Sequence, residues 1–349
     1  MKPFDLWKLL LCILFMLGMA VVVLVVIDQQ LDLRQALATV ANAKRGWILA
    51  ALLCVPVFYC CEARNIGSGL RLAGYRPSIR QLLSYSTAGY FFSGITPASS
   101  GGQPGQLYFM HKDGMSLGAG TFALLLDLLS YQCASLFFGL LGAGNLLRLN
   151  ALLDVPPVMM AFFLLGFVLN AAVLLGIVSL MISQRASKCI AGMLIRLGRL
   201  RRKKPDCRWH VLRFVARFRV AAVELRKHKG VLPGMLLVSL LQLTAMHSIT
   251  YLCYRALGYG AIGPVDMVLL QGLLFISVNG LPLPGASGAS EGAFTLMFNG
   301  VYPAGSMGSA VILTRCMSFV IPLIGAGLLL MVLRMWLAWT ARCERAGTP

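Results

Sequence analysis

Glu291 lies in LPLPGASGASEGAF, residues 281–294, where two prolines, three glycines and a carboxylate interrupt a strongly apolar chain. In hydrocarbon an unpaired backbone group or an ionised side chain costs several kcal/mol, so such a segment persists only buried in protein or lining a polar cavity. A second interruption, SGITPASSGGQPGQLYFMHKDG at residues 93–114, gathers neutral hydrogen-bonding groups: the hydroxyls of Ser99 and Ser100, backbone amides at Gly101 and Gly102, and the carboxamides of Gln103 and Gln106. A helix starting after Pro104 would aim free N–H groups and a positive dipole end at an anionic headgroup, and Lys112 adds a mobile cation.

Charged and polar residues inside otherwise apolar runs extend this set. Asp127 sits in TFALLLDLLSYQ, Arg315 in AVILTRCMSFV, Glu62 and Arg64 near the end of an early run, and Gln242 and His247 in LLQLTAMHSITYL. Charges at membrane depth are rare and usually paired or pathway-lining. Glu291 and Arg315 are expected to pair, because a turn at VYP, residues 301–303, lets their two segments fold back beside each other. Tyr251, Tyr254 and Tyr259 fit an interfacial aromatic belt.

Several chemistries are excluded by what is missing. The chain has no GxxxxGK[ST] phosphate loop and no HExxH, and GASGASEG falls short of a GxSxG nucleophile elbow. Its ten cysteines lie mostly in apolar runs without zinc-site spacing, so no metal and no cofactor is expected.

The elements that carry these residues follow from composition. The 349 residues are 58% hydrophobic and 12% charged with a mean hydropathy of +0.78, against roughly 25% charged residues in an average soluble domain. The chain is therefore an all-α, polytopic integral membrane protein, a single transmembrane domain over 1–349. At about 20 residues per crossing, full spans are predicted at 8–27, 47–66, 117–147, 157–182, 232–257 and 308–334.

The net charge of +19 would suggest nucleic acid in a soluble protein, but residues 184–229 hold fifteen Lys/Arg against Asp206 and Glu224, thirteen of those nineteen charges in one loop. Within it Ile190, Leu194, Leu197, Val211, Phe214 and Phe218 recur at helical spacing among arginines, the pattern of amphipathic helices on an anionic leaflet. No nucleic-acid partner is expected. Basic loops mark the cytoplasmic side, which places both termini inside.

Two broken segments remain, 81–116 and 265–303. Sliding the chain by 187 positions lays Pro97, Ser100 and Gly101 on Pro284, Ser287 and Gly288. Three full spans separate the segments, so they enter from opposite faces. Short interrupted hydrophobic segments at corresponding places in two inverted halves point to a midplane binding site, here two re-entrant hairpins meeting inside a helical bundle.

The two broken segments, with Glu62-Ala63-Arg64, Asp127 and Arg315, resemble the signature stretches of the transmembrane flippase domain of lysylphosphatidylglycerol synthases and its stand-alone relatives. The resemblance covers nearly the whole chain. It implies a multi-pass protein of a bacterial or archaeal cytoplasmic membrane that moves a lipid or lipid-linked headgroup between leaflets: an anionic or aminoacylated phospholipid, or a polyprenyl-linked lipid. Some relatives carry Glu and Arg where this chain has Gln103 and Gln106, which makes its first hairpin less charged. The chain stops at Pro349 without the synthases' soluble aminoacyl-transferase domain, so a separate lipid-synthesising partner enzyme is expected.

On this reading Ser99, Ser100, Gly101, Gly102, Gln103 and Gln106 cradle the headgroup from one side and Ser287, Gly288 and Ser290 from the other. Glu291 and Arg315 form a gate or headgroup contact, Asp127 and Lys112 supply further charge, and Glu62, Arg64 and His247 are additional candidates. The alternative class is a membrane-embedded lipid-modifying enzyme, or an accessory subunit of a lipid or cell-envelope biosynthesis system, which requires a nucleophile or metal set near Glu291. The orientation is directly testable. Lys204→Cys in intact cells should resist an impermeant thiol reagent and react only after the membrane is opened; labelling from outside would invert the topology.

Overall fold

The computed structural model describes residues 38, 40–96, 99–153, 156–182, 223–225, 227–279, 289–303 and 305–346, and among these it is all helix with no strand. The helices are α1 (Arg45–Leu72), α2 (Ile79–Ile95), α3 (Gly102–Lys112), α4 (Leu117–Leu153), α5 (Pro157–Ile182), α6 (Val231–Ala256), α7 (Pro264–Asn279), α8 (Ala289–Phe298), α9 (Met307–Arg315) and α10 (Ile321–Ala346). A π-turn, Cys316–Val320, joins α9 to α10.

Five stretches are long and apolar enough to cross a membrane: Arg45–Leu72, Leu117–Leu149, Pro157–Ser179, Val231–Ala256 and Met307–Thr340. They coincide with five of the six predicted spans. The predicted span at 8–27 and nearly all of the basic loop at 184–229 lie outside the described residues. Large apolar side chains such as Leu164, Val168, Leu328 and Val332 are exposed on these helices, as a hydrocarbon surround requires.

The broken segments resolve into pairs of short helices. α2 has 17 residues and α3 has 11; at 1.5 Å per residue they reach about 25 and 16 Å, short of a hydrocarbon core of about 30 Å. α2 starts on a capping box, with the Ser78 hydroxyl accepting from the Gln81 N–H and the Gln81 side chain accepting from the Ser78 N–H. Its C-terminal half packs along α3. The second pair, α7 and α8, has 16 and 10 residues and packs likewise.

α1 and α6 form the largest helix contact and run antiparallel. The Lys44 N–H donates to Ala256 O at 2.9 Å at one end, and Asn65 Nδ2 donates to Met235 O at 3.3 Å and Ser239 Oγ at 2.9 Å toward the other. α4 lies against α1 at Gly69, where a Cβ would fall 2.6 Å from Ala123 Cα. Only a residue without a side chain permits that approach, so the small residue sets the helix spacing.

Each short-helix pair is also held by a long helix from the other half of the chain: α2 by α10 and α7 by α4. On the first of these seams, Arg334 of α10 donates two hydrogen bonds of 2.8 Å to the carboxylate of Asp113, at the end of α3. Asp113 also accepts from Tyr85 Oη at 2.7 Å, and Arg334 sits 4.6 Å above the Phe109 ring. Nearby Arg80 stacks on Trp336 at 3.3 Å. On the second seam, Arg148 of α4 pairs with Asp266 in the first turn of α7.

The aromatic belt expected from Tyr251, Tyr254 and Tyr259 is corrected at Tyr254. That ring is 1% exposed and packs with Tyr259 and Tyr302 in a cluster whose centroids lie 5.4–5.8 Å apart, while its hydroxyl accepts from the Ala261 N–H. The turn after α6 folds back and covers it.

The two ion pairs should differ in weight. Side chains of Arg334 and Asp113 are each 13% exposed, whereas that of Arg148 is 67% exposed. Removing one partner of a mostly buried pair costs about 3 kcal/mol or more, and an exposed pair contributes about 0 to 1 kcal/mol. Asp113→Asn should therefore lower the melting temperature of the detergent-purified protein clearly, while Arg148→Gln should barely move it.

Candidate functional site

The helix starts of α3 and α8 open onto one cavity of about 620 Å³ enclosed by α1, α2, α3, α4, α6, α7, α8, α9 and the π-turn. That is the size of a pocket for a small organic ligand or headgroup. Twelve of the residues singled out from the sequence line it: Glu62, Ser99, Ser100, Gly102, Gln103, Gln106, Asp127, Gln242, His247, Ser290, Glu291 and Arg315. They come from segments as far apart in sequence as α1 and α9, so no local pattern groups them.

The first wall is built from the tip of the α2–α3 pair. Thr96 Oγ1 accepts from the Gly101 N–H at 2.8 Å and Ser99 takes a left-handed backbone with φ 53, which together turn the chain back into α3. The helix begins at Gly102 rather than after Pro104, with Pro104 inside its first turn, where a missing N–H leaves no helical bond unmade. A Cβ on Gly102 would strike Ser93 Oγ, and one on Gly89 would strike the Gln106 side chain. The two glycines let α3 lie close on α2 and leave room for Gln106 beneath it.

Gln106 reaches the carboxylate of Glu62. Its Nε2 donates to Oε1 at 2.7 Å, and Ser86 Oγ donates to Oε2 at 2.8 Å. Glu62 therefore ties spanning helix α1 to both helices of the first pair through neutral donors, and Arg64 has no part in it. Arg64 is exposed and its side chain does not line the cavity; Lys112 is likewise exposed at the far end of α3. Two positions past Glu62 the helix turns Arg64 outward, and α3 carries Lys112 away from the tip. Gly101 shapes the tip without lining the cavity.

The opposite wall carries the expected ion pair. Arg315 Nε donates to Glu291 Oε1 at 2.7 Å, with the two side chains 13% and 9% exposed. Glu291 lies in the first turn of α8, where the helix dipole also favours a carboxylate. Arg315 is the last residue of α9, immediately before the π-turn, and its guanidinium faces the Phe319 ring at 5.6 Å. Ser287 and Gly288 lie outside the described residues, as do Pro97 and Pro284.

The π-turn has an identifiable cause. Pro322 lacks the N–H that would bond to Ser318 O, and Tyr90 Oη of α2 donates to that carbonyl instead, at 2.9 Å. Tyr59 Oη of α1 donates to Pro322 O at 2.6 Å. Two tyrosines from the first half thus hydrogen-bond the backbone at the break that presents Arg315.

Some lining residues escaped the sequence reading: Tyr90, Tyr131, Gln132, Thr250, Gln271 and Thr314. One usable signal was present. Asp127 and Tyr131 are four residues apart on α4, and Gln242, Met246 and Thr250 repeat at the same interval on α6, so each set shares a helix face.

These features define a polytopic helical membrane protein with a polar cavity among its spans. Residues 9–326 match the family described as the lysylphosphatidylglycerol synthase TM region, and the chain belongs to that family. No curated protein matched the chain. Tyr90→Phe should leave Ser318 O without its donor and lower stability by about 1 kcal/mol, read as a reduced melting temperature with normal membrane insertion.

Proposed function

We propose that this protein moves the headgroup of a phospholipid or lipid-linked phosphate between membrane leaflets, through the cavity between its two short-helix pairs and without covalent chemistry. The observation that carries this reading is the meeting of the α3 and α8 N-terminal turns, with the Arg315–Glu291 pair, at one polar cavity among apolar spans. Helix N-termini present free N–H groups and a positive dipole end, the usual means of holding an anionic group at membrane midplane.

The same reading takes the fold as an inverted repeat with two re-entrant pairs. Its support is the spacing of helix starts: α1 and α6 at 45 and 231, α2 and α7 at 79 and 264, α3 and α8 at 102 and 289, α4 and α9 at 117 and 307. The offsets are all close to 187, and the corresponding helices α1 and α6 run antiparallel. The exchanged contacts, α2 with α10 and α7 with α4, are those an approximate two-fold axis in the membrane plane generates. The proposal further takes the basic loop as cytoplasmic, hence both termini inside, in a bacterial or archaeal cytoplasmic membrane, with the lipid supplied by a separate synthesising enzyme.

In this mechanism Arg315 exchanges its partner. At rest it is neutralised by Glu291, and an incoming phosphate competes for the guanidinium while the acyl chains stay in the bilayer. Glu291→Gln preserves shape and removes the charge. It should reduce translocation of a fluorescent-headgroup phospholipid in proteoliposomes to the protein-free background, and breaking the buried pair should cost about 3–5 kcal/mol. Glu291→Gln combined with Arg315→Gln should recover the melting temperature but not translocation. Wild-type rates in the single variant would make Glu291 structural and overturn the reading.

A further inference from the structure

The α6–α7 wall of the cavity carries no charge, and its chemistry differs from that of the ion pair. Gln242 and His247 on α6 are each 2% exposed, and Gln271 faces the same space from α7. Gln242 Oε1, Gln271 Oε1 and both ring nitrogens of His247 are buried without a hydrogen-bond partner among the described residues. The His247 ring is held on its sides by Phe138 and Phe275, with centroids 5.2 and 5.8 Å away. Its position is fixed by packing, and its nitrogens remain at the edge.

Burying such groups unpaired costs about 1–3 kcal/mol each, so four of them together on one cavity wall indicate a bound partner. The partner's chemistry follows from what the wall offers. A neutral imidazole presents one donor and one acceptor, and each glutamine presents an amide with both. A phosphate only accepts and an ammonium only donates, so neither satisfies this wall. Hydroxyl groups do both. The ring of Phe275, which also lines the cavity, offers an apolar face for the C–H side of a polyol.

We propose that the α6–α7 wall, through Gln242, His247 and Gln271, is a subsite for the hydroxyl groups of a polyol or sugar headgroup, adjoining the Arg315 end that takes the phosphate. The proposal rests on the transport reading for the phosphate end only. Specificity then lies in the neutral wall: a lipid with a phosphate but no hydroxyls leaves four buried polar atoms unpaired.

The test is binding, measured separately from transport. Purified protein in detergent is titrated with phosphatidylglycerol, phosphatidylethanol, phosphatidylethanolamine and a polyprenyl phosphate bearing one hexose, and retention is read by native mass spectrometry. The two hydroxylated lipids should be retained at least tenfold more tightly than phosphatidylethanol. The tighter of the two identifies the source as glycerolipid or polyprenyl sugar. Gln242→Leu with Gln271→Leu, apolar changes that a membrane interior accommodates, should abolish that preference. Equal retention of phosphatidylglycerol, the hexose lipid and phosphatidylethanol by wild-type protein would overturn the proposal, as would a preference for phosphatidylethanolamine. A preference that persists in the double variant would also overturn it. If the preference holds and proteoliposomes show no translocation, the transport reading fails while the subsite stands; translocation without preference has the opposite meaning.

Discussion

The Arg315–Glu291 ion pair organises the second half of the cavity because neither charge can exist there alone. An isolated charge in the interior of a membrane bundle carries a desolvation penalty of several kcal/mol, so the first turn of α8 and the end of α9 must stay within hydrogen-bond reach. That requirement brings a short helix back across the cavity mouth. It also holds Arg315 at the point where its helix breaks, and both Glu62 and Asp127 lie around the same space.

The second constraint is backbone accounting. Pro322 leaves the Ser318 carbonyl in the last span without its i+4 amide, and hydrocarbon offers no water to replace it. Tyr90 fills that role from α2, and Tyr59 of α1 adds a hydrogen bond to Pro322 O. The break that aims Arg315 into the cavity is therefore stable only while the first half of the chain is packed against it. Arg334 and Asp113 reinforce the same seam farther along α10. The first hairpin is thus joined by hydrogen bonds to the helix that carries Arg315 and to its continuation.

How much of this was legible in the sequence depends on the range of the interaction. Apolar length located five spans to within a few residues, because hydropathy is summed locally. The two broken segments and the Glu291–Arg315 pair were legible for a related reason: in a chain this apolar, any proline-rich break or buried charge must be accommodated. The grip on Glu62 was not. Ser86 and Gln106 are common residue types, 24 and 44 positions away, and only the crossing of α1 with the α2–α3 pair selects them. Arg334 and its partner Asp113 are 221 residues apart, and no local pattern joins them. Arg64 and Lys112 lie outside the cavity lining for reasons a linear reading does not carry: helical phase turns Arg64 outward, and the length of α3 takes Lys112 away from the tip.

The cavity thus joins walls of different origin. The charged end comes from α8 and α9, the donor-rich tip from α2 and α3, and the neutral amide and imidazole wall from α6 and α7. On the proposed reading the Arg315 end takes the phosphate by exchange at contact, whereas buried neutral groups discriminate through the cost of leaving them unpaired. On the same reading capture and selection would fall to separate helices. α6 is the antiparallel partner of α1, which carries Glu62, so the α6–α7 wall and the hydrogen bonds that hold Glu62 to Gln106 and Ser86 meet across one helix contact.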